Sequence, residues 1–421
     1  MIKSEEFSLR RKLFIEKMAN NSLALVFSGL GRKVSNDNFF YEVNRNFYYL
    51  TGIDQENSSL MILKTSGEVN LFLFIDEKDP NKEKWTGLRL SLDEARQKSD
   101  IHNVLFHNSF GPKLENILSS ESEFGAFEHL YLDLEEELKI RPSYSTIDLK
   151  KELESKHPDM KVVDLHPLLT SLRMIKSPSE IYLMKQAIEI TDLAFKNVIL
   201  NLRPGLYEYN IRNIINQTIN DNNNRRVAFE TIVAGGKNAI ILHYPHAKDM
   251  LEDGELVLLD FGAANAYYNA DISRTLPING KFSNKQKLIY NIVLGCNEAV
   301  INFIRPGLTL AEIQKFSVDY LAAECHLKGL INSRDDILQV YYHGVSHHLG
   351  LDVHDVCDRT LPLEPGMVLT VEPGLYFKDL KIGIRIEDNV LVTESGAENL
   401  SKNIIKKVED IETLFLSKET N

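Results

Sequence analysis

The chain has 421 residues, 43% hydrophobic and 26% charged, with 22 Gly and 13 Pro, which excludes a disordered or collagen-like polymer and leaves room for more than one domain. With 60 Asp and Glu against 48 Lys and Arg, the net charge of −12 gives no electrostatic reason to seek a phosphate backbone, so no nucleic-acid partner is expected. No apolar run approaches a membrane span, the N-terminal MIKSEEFSLRRK is too charged for a signal peptide, and Cys296, Cys325 and Cys357 are too few and too scattered for a disulfide framework or a thiolate zinc site. A cytoplasmic protein with no membrane partner is the expectation.

From residue 1 to about 170, short apolar runs alternate with polar helical stretches. The runs are LALVFSG (23–29), SLMILK (59–64), VNLFLFID (69–76), VLFH (104–107), LYLDL (130–134) and KVVDL (161–165). They predict a mixed α/β domain over 1–172. Within it, Ser91 and Glu94 have capping-box spacing and should open a short helix.

A new pattern begins at RMIKSPSEI (173–181) and predicts a second domain over 173–421. Ser177, Pro178 and Glu180 supply an N-cap, a first-turn proline and a capping-box acid. Behind them Ile181, Met184, Ile188, Thr191, Phe195, Val198 and Leu202 recur at steps of three and four, the mark of a long amphipathic helix. This domain carries traces of duplication. RPGL occurs at 203–206 and again at 305–308, each time between two helical stretches; Thr309 and Glu312 box the later one and Gly329 ends it. GELVLLDFG (254–262) aligns with GMVLTVEPG (366–374), so Asp260 and Glu372 occupy equivalent places in two strands. Two related halves facing each other across a pseudo-two-fold axis are the expected architecture.

Each of those strands opens a hairpin with a second acid. Residues that face each other in a hairpin keep a constant index sum. Asp260 and Asp271 centre on the turn near Ala264 to Ala266, and Glu372 and Glu387 centre on Lys378 to Lys381, so each pair is expected to face across its ribbon. Single strand acids also occur on solvated faces, or paired with an arginine such as Arg274 or Arg385. Two symmetric pairs among Val, Leu and Ile point instead to bound cations, because buried carboxylates repel one another and resist desolvation.

Between the hairpins, HGVSHHLGLDVHD places His343, His347, His348 and His354 within a dozen residues. His343 and His347 have HxxxH spacing, but Gly344 follows the first histidine where a zincin helix needs glutamate. One imidazole among four carboxylates makes an oxygen-rich site suited to Mn(II), Fe(II) or Co(II), with Zn(II) as an alternative.

HGVSHHLGLDVHD, LDFGA followed by ADISRT, TVEPGLY and GIRIEDNVL together resemble the signatures of the pita-bread metallopeptidases, the family that includes methionine aminopeptidase, prolidase and aminopeptidase P. The resemblance implies a mixed α/β (α+β) protein with a C-terminal pita-bread domain. It implies two divalent ions, Mn(II) foremost, held by Asp260, Asp271, His347, Glu372 and Glu387, with Asp271 and Glu387 bridging. It also implies Glu372, His354 and His243 in catalytic roles, His343 lining a proline pocket, and Arg385 behind Glu387 beside the substrate. Ser273 stands where relatives commonly have threonine, and Cys357 where they often have glycine.

SNDNFFYEVNRNFYYLTGID (35–54) and EKWTGLRLS (83–91) resemble the N-terminal domain of the aminopeptidase P branch. In that branch these segments come from a neighbouring subunit, so Trp85 and Asp37 are candidates to cap a site in a homodimer or homotetramer. The expected activity is release of the N-terminal residue from peptides with proline second. The rival activities are an Xaa-Pro dipeptidase and, from another class, a silent pita-bread protein that binds peptides or partners.

Overall fold

The computed structural model describes residues 2–35, 38–134, 146–222 and 226–419. The chain divides into two compact units, Met1–Leu172 and Arg173–Asn421. Among the described residues no helix is long and apolar enough to cross a membrane.

The first unit is built on a six-stranded mixed sheet of β1 (Ser22–Phe27), β2 (Ser59–Lys64), β3 (Val69–Ile75), β4 (Asn103–Phe106), β5 (His129–Leu132) and β6 (Lys161–Asp164). The strand order is β4-β3-β2-β1-β5-β6, with β1 antiparallel to β2 and parallel to β5. All six apolar runs of the sequence become these strands. Alternate residues, Leu23 and Leu25, Met61 and Leu63, Phe72 and Phe74, turn to one face and pack under the helices Phe110–Ile117 and Thr146–Lys156. Ser91 accepts from the Glu94 amide while Glu94 reaches back to Ser91, and the boxed helix runs Leu92–Ser99. Trp85 lies on the short helix Pro80–Thr86 and is 90% exposed. Asp37 lies outside the described residues.

In the second unit Ser177 caps α1 (Pro178–Asn201) through the expected box with Glu180. Its buried stripe includes Met184, Ile188, Thr191, Phe195 and Val198, and each large apolar side chain so buried contributes about 1.5–3 kcal/mol. Then follow α2 (Glu208–Asp221), strands β7 (Leu256–Phe261) and β8 (Ile272–Pro277), α3 (Asn284–Phe303), α4 (Leu310–Leu327), and strands β9 (Val368–Val371), β10 (Gly374–Phe377), β11 (Ile382–Arg385) and β12 (Asp388–Val392).

The order helix, RPGL, helix, ribbon thus occurs twice, and the backbone repeats it in detail. The Gly205 amide donates to Leu251 O and the Leu251 amide to Leu206 O; the Gly307 amide donates to Leu363 O and the Leu363 amide to Leu308 O. Both glycines have positive φ, +85° and +90°, which an L side chain rarely adopts.

The two ribbons differ in how well their register was legible. The second keeps the expected pairing: Val371 faces Asp388 and Gly374 faces Arg385, which sets Glu372 opposite Glu387. The first is shifted. Asp260 pairs with Ser273 and Phe261 with Ile272, so Asp271 lies diagonal to Asp260 rather than opposite it. The turn sits at Ala266 and Tyr267, both in the left-handed region at φ 48° and 68°, and no glycine marks it in the sequence. A shift of two in the index sum preserves the face, so both carboxylates still project the same way. Opposite Asp271 stands Gly262, where a Cβ would strike the Ala270 carbonyl.

Candidate metal centre

The ribbons meet along β8: the Glu387 amide donates to Ser273 O at 3.0 Å, and Asn389 holds the Asp271 backbone by accepting from its amide and donating to its carbonyl. This juxtaposition delivers Asp260, Asp271, Glu372 and Glu387 to one cavity of about 450 Å³, together with His243, His343, His347, His354 and Arg385. Among the described residues, ligand atoms of Asp271, His347 and Glu387 all lie within 4.8 Å of one another. His347 Nε2 is 3.5 Å from Asp271 Oδ2 and 3.5 Å from Glu372 Oε1.

The electrostatics are those of a cluster short of positive charge. Burial raises the Asp271 pKa, and Asp260 and Glu372 push it further, well above the carboxylate range. Burial likewise raises Glu387, reinforced by Asp271, Glu372 and Asp260. Glu372 is raised by burial too, against the pull of His347 and Arg385. Asp260 Oδ1 is buried with no hydrogen-bond partner, while its Oδ2 accepts from Arg385 Nη2 at 2.6 Å. A buried carboxylate oxygen without a donor fits a cation.

The histidines have distinct states. His347 Nδ1 lies 2.9 Å from the His348 carbonyl, which can only accept, so Nδ1 carries the hydrogen and the Nε2 lone pair faces the acids. His343 is fully engaged: Nδ1 donates to Gly344 O at 2.8 Å and Nε2 accepts from the Tyr376 hydroxyl at 2.8 Å. It therefore has no lone pair free for a metal. His354 stacks edge-on to His347 with ring centroids 4.4 Å apart, and burial, with His347 and His243 nearby, lowers its pKa to about 4. His243 is exposed at the cavity rim.

Arg385 stands at one remove from Glu387. Its direct partner is Asp260, and it reaches Glu387 through Ser273, whose hydroxyl accepts from Arg385 Nε at 2.8 Å and donates to Glu387 Oε2 at 2.7 Å. A third nitrogen, Nη1, donates to the Tyr376 hydroxyl at 3.1 Å. Sequence reasoning missed the roles of Ser273, Tyr376 and Asn389. Each lies two or four residues from an acid of the cluster, on the same face of its strand, and that period was the available signal.

The loop bearing His347 and His354 is anchored from behind. Asp355 accepts from Arg173 Nη2 at 2.6 Å and lies 3.0 Å from Lys176 Nζ, all three side chains at most 3% exposed, and its amide donates to His348 O.

Four buried carboxylates from the two ribbons and one inward imidazole nitrogen from the loop share this cavity, and Asp271, His347 and Glu387 among them form a candidate metal-binding site, as in a metal-dependent hydrolase. The chain belongs to metallopeptidase family M24, whose model matches residues 182–394, and the aminopeptidase P N-terminal domain matches residues 7–124. It is similar to the Xaa-Pro aminopeptidase of Escherichia coli, 34% identical over 99% of this chain and 98% of the relative. The Xaa-Pro aminopeptidase of Haemophilus influenzae is 36% identical over 98% and 97% of the two chains. The structure of aminopeptidase P from E. coli with the inhibitor Pro-Leu superposes with a TM-score of 0.90 at 32% identity, covering all of both chains.

Proposed function

We propose that this protein is an Xaa-Pro aminopeptidase that holds two divalent ions, Mn(II) foremost, on Asp260, Asp271, His347, Glu372 and Glu387. The observation that carries the metal assignment is the charge deficit: four acids converge on the cavity with the Arg385 guanidinium bonded to one of them, and Asp260 Oδ1 and His347 Nε2 point inward without donors. One divalent ion leaves the cluster negative; two neutralise it with room for one further anion. Such ions supply Lewis acidity and lower the pKa of a water toward neutrality.

The chain's own groups do the rest. Glu372 takes a proton from the attacking water and delivers it to the proline nitrogen as the C–N bond breaks. His354, neutral above about pH 4, offers its one N–H to the developing oxyanion. His243 orients the substrate from the rim, and His343, locked by Tyr376, walls the proline pocket. An Xaa-Pro bond has no N–H and a fixed φ at proline, so a rigid pocket suits it better than recognition through the amide hydrogen.

The protein is further proposed to act in the cytoplasm as a homodimer or homotetramer. Trp85 at 90% and Leu88 at 89% exposure leave an apolar edge on the first unit that a second copy would cover, with Trp85 and Asp37 capping the neighbour's site. The test is hydrolysis of Xaa-Pro-Yaa against Xaa-Pro by the Mn(II)-loaded protein. The aminopeptidase cleaves the tripeptide; cleavage of the dipeptide alone establishes a prolidase, no cleavage of either establishes a binding protein, and full activity after exhaustive chelation removes the metal mechanism.

A further inference from the structure

The catalytic cavity opens into two others of opposite chemical character. One, of about 310 Å³, shares His243, Asp260, Asp271 and His354 with it and adds Phe229 and Glu230. The other, of about 670 Å³, shares His343, Gly344, Ser346 and Arg359 with it. Among the described residues no carboxylate lines this larger chamber, and its remaining walls include Leu310, Leu338, Tyr341 and Tyr342. A peptide's free α-ammonium belongs among the acids of the first chamber, which sends the chain beyond the scissile bond toward the second.

The second chamber has firm walls. Gln314 donates to His343 O at 3.2 Å and accepts from the Val345 amide at 2.6 Å, and the Tyr342 hydroxyl donates to Ile240 O at 2.6 Å. Leu338 and Tyr342 nevertheless remain 64% and 47% exposed. At the junction with the catalytic cavity the Ser346 hydroxyl is buried with no hydrogen-bond partner, in a residue only 7% exposed. An unpartnered buried hydroxyl on the path of a peptide is placed to meet a backbone group.

We propose that this chamber is the subsite for the residue following proline, and that Leu338 and Tyr342 make it favour an apolar or aromatic side chain there. The proposal rests on the Xaa-Pro reading above and adds the specificity beyond proline. The experiment compares kcat/KM for Ala-Pro-Phe, Ala-Pro-Gly and Ala-Pro-Glu on the metal-loaded full chain, with Pro-Phe and Pro-Gly as competitive inhibitors. Phe is expected to exceed Gly roughly tenfold, the scale of one apolar contact in a half-open pocket, and to exceed Glu as well, which can meet Arg359 but lacks the apolar contact with Leu338. Leu338→Ala lowers the Phe to Gly ratio, Leu338→Glu abolishes it, and the inhibitor constants follow; Leu327→Ala, on exposed α4 surface, leaves the ratio in place. A residue needed only for folding would depress all substrates alike. Equal turnover of the Phe and Gly peptides, or a ratio unmoved in both Leu338 variants, overturns the subsite alone. No turnover of any proline peptide overturns the reaction, and the subsite with it.

Discussion

Asp355→Asn tests whether the histidine loop is held by charge or merely by packing. The carboxylate is 1% exposed between Arg173 and Lys176, and the substitution keeps its shape while removing the charge that both cations face. Burial alone would raise the Asp355 pKa, but Lys176 and Arg173 outweigh it and hold it at about 2. Against an unfolded value of about 3.9 that depression corresponds to about 2–3 kcal/mol, and removing one partner of a buried pair costs about 3–5 kcal/mol, so a loss of about 2–4 kcal/mol is expected. The sign in pH follows. A depressed carboxyl pKa stabilises the fold above the unfolded value and ceases to do so as pH falls toward 2, so wild type and variant converge between about pH 4 and 2. The assay is urea unfolding followed by far-UV circular dichroism, because the sole tryptophan, Trp85, lies in the first unit. His347 and His354 share the loop, so metal affinity should drop by roughly 10–100-fold as their support loosens. A stability change below about 0.5 kcal/mol, as at ordinary surface sites, or unaltered metal affinity, would refute the reasoning.

Three further outcomes follow from the same geometry. Chelation should lower the thermal midpoint more at pH 8 than at pH 5: the raised pKa values of Asp271, Glu387 and Glu372 let the metal-free fold keep protons at low pH, and ionising them as pH rises costs stability. Differential scanning fluorimetry with and without chelator at both pH values checks it. Ser273→Ala cuts the link between Arg385 and Glu387 and should weaken metal binding roughly 10–100-fold, measured by competition with a chromophoric chelator. Gly350→Ala should destabilise the protein by about 1–3 kcal/mol in urea, because its Cβ would strike the Asp355 carboxylate with the Lys176 side chain behind it.

Most of what the sequence displays is local, and local features were legible. The capping boxes at Ser91, Ser177 and Thr309 form as their spacing predicts, since both partners sit within one helical turn. The Glu372 ribbon was placed correctly because polar residues mark its turn, where Lys381 takes the left-handed conformation at φ 53°. The Asp260 ribbon was misplaced by one residue at its centre because Ala266 and Tyr267 adopt that conformation without the usual composition. Long-range choices left no such mark. Nothing in the spacing of Arg274 and Arg385 tells which acid each meets, and the engagement of His343 with Tyr376 depends on two strands brought together only by folding.

The two faces of one ribbon show what distinguishes a working acid from a structural one. Glu387 and Asp388 are adjacent, both buried, and point to opposite sides of the strand. On the far side Asp388 meets Arg274 at 2.9 Å and Lys406 at 2.6 Å, and although burial opposes it, these cations hold its pKa at about 2. Arg274 also donates to the carbonyls of Ser273, Glu387, Ile404 and Ile405, so every N–H of its guanidinium is used. On the near side Glu387 shares a single guanidinium with three other acids, and its pKa is driven up. The same stretch of chain thus supplies its own counter-charge where only stability is at stake and withholds it one residue away. A fold that neutralises Asp388 so completely has the means to neutralise Glu387; leaving that deficit in a cavity open to small molecules is the physical signature of a site completed by cations from solution.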